Sequence, residues 1–349
     1  MQIYIKRFIL GLSLFLFFGI LFYSSLLFIP VSCNDKDYIL EIPKDVSADF
    51  ISRILEDDIC LNSTLFKFAI YTTFNQKKIK PGLYALKKVH TVGELIRNIT
   101  SVSKNKKRVT ILEGSNIYDI ADYLSQELST DKEKFINLCL NKDYIKSLEI
   151  PYPHSIKTLE GFLFPDTYIL LDTYSEKDII EILIKRFIDM YNLHLESHLS
   201  KSNLNIFEII TLASIIQGEA MLIKEMPTIS SVYHNRLKRR MKLEADPTIL
   251  YYMTPEDLIL FKDEPGSSES SKVFRKYKNI KSPYNTYSIQ GLPVGPINNP
   301  GLKAIYAALY PENSDKNYLY FVADGTGGHV FSKTLRQHNQ AIKRIRYGY

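Results

Sequence analysis

The chain has 349 residues, 45% hydrophobic and 23% charged, with 24 Tyr, 19 Phe and no Trp. That balance excludes a disordered or collagen-like chain and leaves room for two compact units. Three cysteines without paired spacing exclude a disulfide framework and a zinc ribbon.

From Phe8 to Ser32 the sequence carries no charge over 25 residues. As a helix this run spans roughly 37 Å, enough for a hydrocarbon core of about 30 Å. Lys6 and Arg7 precede it, and Asp35, Lys36 and Asp37 follow. The positive-inside rule then keeps the N-terminus cytoplasmic and exports everything after Asn34. A cleaved signal peptide has a shorter apolar region, and Pro30 stands where a lipoprotein signal ending at Cys33 prefers an aliphatic residue. A retained single-pass anchor over residues 1–34 is expected, in the cytoplasmic (inner) membrane with the remainder extracytoplasmic. An exported chain rarely meets nucleic acid. The formal charge of +6 therefore suits a membrane surface or an anionic wall polymer.

"YILEIP" (Tyr38–Pro43) alternates like a strand, and "SADFISRILEDD" has helical periodicity with Ser47 as N-cap. A second helix is predicted from Ser63 to Tyr71, then a turn and strand in "PGLYAL", then a helix capped by Thr91 in "TVGELIRNI". This β-α-α-β-α unit occupies residues 35–107 and ends in a basic linker. "VTILEGSNIYDIADYLSQEL" opens a second unit, residues 108–349, again as strand, turn and helix. Asp131–Leu199 reads as mostly helical, broken at "LEGFLFPDTYIL", where Gly161 and Pro165 make a loop entering a strand. The fold class expected is α+β. Within the second unit, Thr254–Lys281 is expected to be a mobile insert, because "PGSSESSK" shows no regular periodicity. Cys60 and Cys139 each sit in an apolar helical pattern and read as buried thiols.

"LASIIQGEA" (Leu212–Ala220) poses a chemical question. Leu212, Ile215, Ile216 and Glu219 share one helical face, so the carboxylate points with the apolar stripe. Desolvation there raises its pKa and fits it for general acid work; a buried ion pair is the alternative. Gly218 suggests close approach of another group. "HLESH" lacks the zincin spacing, and "GTGGH" lacks the lysine and spacing of a phosphate loop. "RLKRRMK" reads as a solvated helix face. "SPYNTYSIQGLPVGPI" places Asn285 and Thr286 between Tyr284 and Tyr287, a set that suits sugar faces and hydroxyls. An ordinary Pro/Gly surface loop is the other reading.

"LASIIQGEA", "ISSVYHNRL", "LEADPTILY", "SPYNTYSIQGLPVGPINNPG" and "YLYFVADGTGGHVFS" follow one another in the order of the endolytic murein transglycosylase (YceG-like) family. The chain resembles that family from about Tyr38 to the terminal helix. The resemblance implies a membrane-anchored enzyme that cuts nascent peptidoglycan strands internally and so ends glycan elongation. It also implies a LysM-like module before the catalytic domain, no metal or cofactor, and peptidoglycan synthases or division proteins as partners. The family's acid is the second glutamate of a Glu-x-Glu, which is Glu219 here; the first position holds Gln217, about 160° away around the helix. The implied chemistry needs one carboxylate. Protonated Glu219 donates to the glycosidic oxygen on MurNAc C1, then accepts the proton of the C6 hydroxyl as that oxygen closes a 1,6-anhydro ring. Asn235, Asp246, Tyr284, Asn285, Thr286 and Tyr287 are the candidates for binding sugar or orienting the acid. Two other readings stay open: a hydrolytic muramidase using Asp246 or Glu225 as second carboxylate, and a catalytically silent wall-binding scaffold.

Overall fold

The computed structural model describes residues 10–348 except 12, 15–16, 19–24, 26, 32–38, 44–45, 60, 74, 80, 86–90, 101–105, 149, 151–155, 173, 200–201, 264–265 and 313–315. Two compact units result, residues 1–107 with 169–173, and residues 108–168 with 174–349. Much of the Phe8–Ser32 run lies outside the described residues, and among those described no helix is long and apolar enough to cross a membrane. Cys33 and Cys60 also lie outside; Cys139 is a free, buried thiol.

The first unit runs β1 (Ile39–Ile42), α1 (Ala48–Ile59), α2 (Ser63–Thr72), β2 (Gly82–Ala85) and α3 (Val92–Thr100). β1 and β2 are antiparallel, with Ile39 opposite Ala85 and Ile42 opposite Gly82. Alternation turns Leu40 and Ile42 inward, onto a core that includes Ile51, Leu55, Phe66 and Leu95. The caps read from sequence are made: Ser47 Oγ accepts from Phe50 N at 3.2 Å, and Thr91 Oγ1 from Glu94 N at 3.2 Å.

The chain continues through β3 (Lys106–Thr110), α4 (Ile117–Glu127), α5 (Lys132–Leu140), α6 (Lys142–Ser147), β4 (Thr167–Leu171), α7 (Glu176–His194), α8 (Glu196–Leu199) and α9 (Ile206–Glu219). After a single 3-10 turn come α10 (Met226–Lys238), α11 (Pro247–Leu250), α12 (Pro255–Asp263), α13 (Ser268–Lys278), α14 (Leu302–Leu309), β5 (Tyr320–Ala323), β6 (His329–Ser332) and α15 (Leu335–Tyr347). β3 pairs with β4, and β5 runs antiparallel to β6.

Helix α9 positions the site. Asn205 starts it with a capping box completed by Glu208. Every residue from Ile209 to Ile216 is buried, including Thr211, Ala213 and Ser214. The helix is therefore a central rod rather than a surface helix with one apolar stripe. α14, whose buried side chains are Ala304, Ile305, Ala307 and Ala308, packs against it, and α10 and α11 contact it as well. Ser214 also ties down the "GPINNPG" strap: its Oγ accepts from Ile297 N at 3.1 Å, and its carbonyl accepts from Asn298 Nδ2 at 2.8 Å. At its C-terminal end the last turn, Gln217 to Glu219, emerges.

The Thr254–Lys281 segment corrects the expectation of an irregular excursion. α12 and α13 form a helical hairpin, with Phe261 stacked on Phe274 at 5.8 Å and Tyr277 buried against Ile249 and Met253. Lys276 reaches Asp257 across the pair at 2.8 Å. The serines that resemble a loop include a helix start: Ser267 Oγ accepts from Ser270 N. The apolar stripe that follows, Val273, Phe274 and Tyr277, is too narrow to stand out among lysines and serines.

Candidate active site

At the end of α9 the side chain of Glu219 enters a cavity of about 460 Å³ whose walls include Arg236, Asp246, Tyr287, Phe321 and His329. Tyr233 Oη donates to Glu219 Oε1 at 2.8 Å, and the backbone N–H of Asp246 also donates to the carboxyl. Burial pushes the Glu219 pKa up to about 8, and the Asp246 charge adds to the rise. Tyr233, the Asp246 N–H and Arg236 oppose it without cancelling it. At neutral pH the group holds its proton.

Gly218 explains how Asp246 comes so near. A Cβ at Gly218 would lie 2.8 Å from Pro247 Cβ. The bare backbone thus lets Pro247, at the head of α11, press onto the last turn of α9 and set Asp246 beside Glu219. Gln217 points elsewhere: its Oε1 accepts from Gly301 N at 3.1 Å.

"ISSVYHNRL" lies on α10 and supplies the second wall. Arg236 is buried and spreads its donors over Leu319 O (2.7 Å), Leu243 O (3.0 Å), Lys242 O (3.2 Å) and Glu244 Oε2 (3.1 Å). Its guanidinium lies 5.1 Å from the Tyr320 ring centroid, so one residue joins α10, the loop after it and the β5–β6 hairpin. Asn235, expected to orient sugar or acid, instead donates to Tyr318 O at 3.0 Å.

The tyrosine-rich loop divides. Tyr287 Oη donates to Asp246 Oδ1 at 2.5 Å, and both residues line the Glu219 cavity. Asn285 and Thr286 have no exposure, which corrects their assignment as sugar contacts. Asn285 Nδ2 donates to Ile280 O at 2.7 Å and Lys278 O at 2.9 Å, while its Oδ1 accepts from Tyr287 N at 2.9 Å. Thr286 Oγ1 accepts from Ala245 N at 2.9 Å and meets Thr248 Oγ1 at 2.9 Å. These two fix the backbone that carries Tyr287 and Asp246. Tyr284 tilts against Tyr251, ring centroids 4.9 Å apart, away from the cavity lining.

A second carboxyl with a raised pKa, Glu160, makes a useful contrast. Burial lifts it to about 8 as well, yet it has no exposure. Its oxygens accept from Ile117 N, Tyr251 Oη and Asn299 Nδ2, all internal donors. It ties the start of α4 to the strap, and no substrate reaches it. A raised pKa marks a site only where there is access.

Tyr233, Arg236 and His329 join the site without having been candidates. Their contacts bridge separate elements, and no local spacing announces them.

Residues 40–344 match the YceG-like family. The chain is 32% identical over 344 residues to an endolytic murein transglycosylase of Bacillus subtilis, covering 93% of this chain and 90% of that protein. It is 27% identical to an endolytic murein transglycosylase of Streptococcus pneumoniae, over 94% of this chain and 63% of that longer protein. A crystal structure of a YceG-like protein from Listeria monocytogenes, 32% identical, aligns with a TM-score of 0.57 over 87% of this chain and 98% of its own.

Proposed function

This chain belongs to the YceG-like family, and from that membership we propose that it is an endolytic peptidoglycan lytic transglycosylase with Glu219 as its acid. The observation that carries the assignment of the acid is a desolvated carboxyl, its pKa pushed up by burial, in the wall of an open cavity that it shares with Arg236, Asp246 and Tyr287. Such a group enters the reaction protonated. It donates to the glycosidic oxygen as the C1–O bond breaks, and the carboxylate left behind takes the C6 hydroxyl proton as O6 bonds to C1. Tyr233 and the Asp246 N–H steady that carboxylate between the two steps. No water is consumed. A hydrolase would need a second carboxylate to activate one. Glu225 is a poor candidate for that task, because both its oxygens are held by His329.

Digestion of purified glycan strands tests the reading. Mass spectrometry is expected to find 1,6-anhydroMurNAc ends carrying no solvent oxygen. Reducing ends that take up ¹⁸O from labelled water would instead establish a muramidase, and an undigested strand would favour the silent scaffold.

The β-α-α-β-α order of the first unit supports the LysM-like, glycan-binding module, and the uncharged Phe8–Ser32 run supports an inner-membrane anchor with the catalytic unit outside. The full chain is expected to sediment with membranes. Residues 38–349 should be released from them yet still sediment with insoluble peptidoglycan, and lose that binding in part when 38–107 are removed. A full chain found in the soluble fraction would sink the anchor; undiminished wall binding without 38–107 would sink the module.

A further inference from the structure

The β5–β6 hairpin carries "DGTGGH", a motif that plays no part in the acid step. Asp324 closes its turn: Oδ1 accepts from Thr326 N at 2.7 Å, Thr326 Oγ1 at 2.8 Å and Gly328 N at 3.1 Å. β6 then starts at His329, in register with Ala323. Gly328 leaves no space for a side chain, since a Cβ there would lie 2.8 Å from Asp324 Oδ2 and 3.1 Å from Glu225 Oε1.

The space is needed for Glu225. This residue, at the start of α10, grips His329 twice: Oε1 accepts from the backbone N–H at 3.2 Å, and Oε2 lies 2.8 Å from Nδ1. A carboxylate oxygen accepts, so the Nδ1 that faces it donates and Nε2 is the open end of the ring. No other described residue hydrogen-bonds Nε2. The ring is fixed on its faces as well. It stands perpendicular to Phe321, centroids 5.2 Å apart, and Phe321 stands at 86° to Tyr233, whose hydroxyl holds Glu219. His329 and Glu219 line the same cavity.

Packing alone does not call for this arrangement. The two side chains are only 9% and 17% exposed, and a well-packed apolar pair would hold the hairpin as well as a desolvated His–Glu pair. What an apolar pair would lack is one oriented ring nitrogen, without a partner among the described residues, on a side chain that lines the cavity of the acid.

We propose that His329 is a substrate-binding residue of this site, its Nε2 hydrogen-bonded to a sugar hydroxyl of the muramyl unit, with Glu225 as the positioning residue that sets the ring. The inference rests on the transglycosylase reading. It needs no bond to form or break at His329, since the proton and the leaving oxygen remain with Glu219.

Two substitutions separate contact from packing. His329→Asn keeps an N–H near the Nδ1 position, preserving the Glu225 grip, but removes Nε2. His329→Gln gives up that grip and extends an amide, able to accept or donate, toward the Nε2 position. With the full-length protein acting on purified glycan strands, His329→Asn is expected to lose about tenfold or more in kcat/KM, the value of one hydrogen bond to substrate. His329→Gln is expected to retain more activity than His329→Asn. A purely structural histidine gives the reverse order, and that order, or full activity in His329→Asn, overturns the proposal. Strand affinity in a Glu219→Gln background supplies a readout that needs no turnover. Adding His329→Asn there should weaken binding about tenfold, whereas unchanged affinity together with unchanged kcat/KM overturns the contact. If the unaltered protein releases no 1,6-anhydro ends, the transglycosylase reading fails by itself, and the affinity comparison still decides the role of His329.

Discussion

Glu219→Gln is expected to abolish glycan cleavage while the protein stays folded. The amide keeps the shape of the carboxyl, and its oxygen can still accept from Tyr233 Oη, now 2.8 Å from Glu219 Oε1. What disappears is the transferable proton, and removing a general acid costs about 10²–10⁴ in rate. Stability should move the other way at high pH. Because the folded-state pKa is raised to about 8, folding favours the protonated form. The stability this contributes is present in full below the ordinary carboxylate pKa and is lost as pH rises through about 8. Glutamine never ionises, so the variant should lack that loss, and its thermal midpoint at pH 9 should equal or exceed that of the unaltered protein. Chromatography of digested strands and a thermal scan at two pH values check both claims. Cleavage within tenfold of the unaltered rate would remove Glu219 from the chemistry.

The parts of this fold that could be read in the sequence are those governed by local rules. Ser47 and Thr91 announce their helices because a cap is settled within three residues. Glu219 and Gly218 were legible for a similar reason: a carboxylate closing an apolar run, beside a costly glycine, is anomalous on the spot. The neighbours of the acid were not legible. Tyr233 reaches Glu219 from another helix, 14 residues on, and His329 is oriented by Glu225 from 104 residues away. Asn285 and Thr286 misled for a different reason. The groups that bind a sugar hydroxyl also satisfy a buried carbonyl or N–H, so residue type could not separate a ligand from a backbone partner. Burial decided it. The α12–α13 hairpin was hidden by composition, because a narrow apolar stripe within a charged surface looks like a solvated loop.

The alkaline limb of the pH profile should move in opposite directions in Asp246→Asn and Tyr233→Phe. A general acid works only while protonated, so kcat/KM is expected to fall as pH rises past about 8, the Glu219 value. The Asp246 charge raises that value, because a second negative charge nearby disfavours ionising Glu219. Asparagine removes the charge and leaves the backbone N–H of residue 246 on the carboxyl, so the limb should shift to lower pH. The Tyr233 hydroxyl lowers the value by donating to the ionised form. Phenylalanine removes that donor, and the limb should shift to higher pH. Tyr233→Phe should also reduce the maximal rate, since the carboxylate formed in the acid step loses one of its donors. Damage to the fold gives no reason for shifts of opposite sign, so the pair isolates the titration of Glu219 from general disruption. If both limbs shift the same way, or neither shifts, some other group sets the limb and Glu219 is not titrating as the acid.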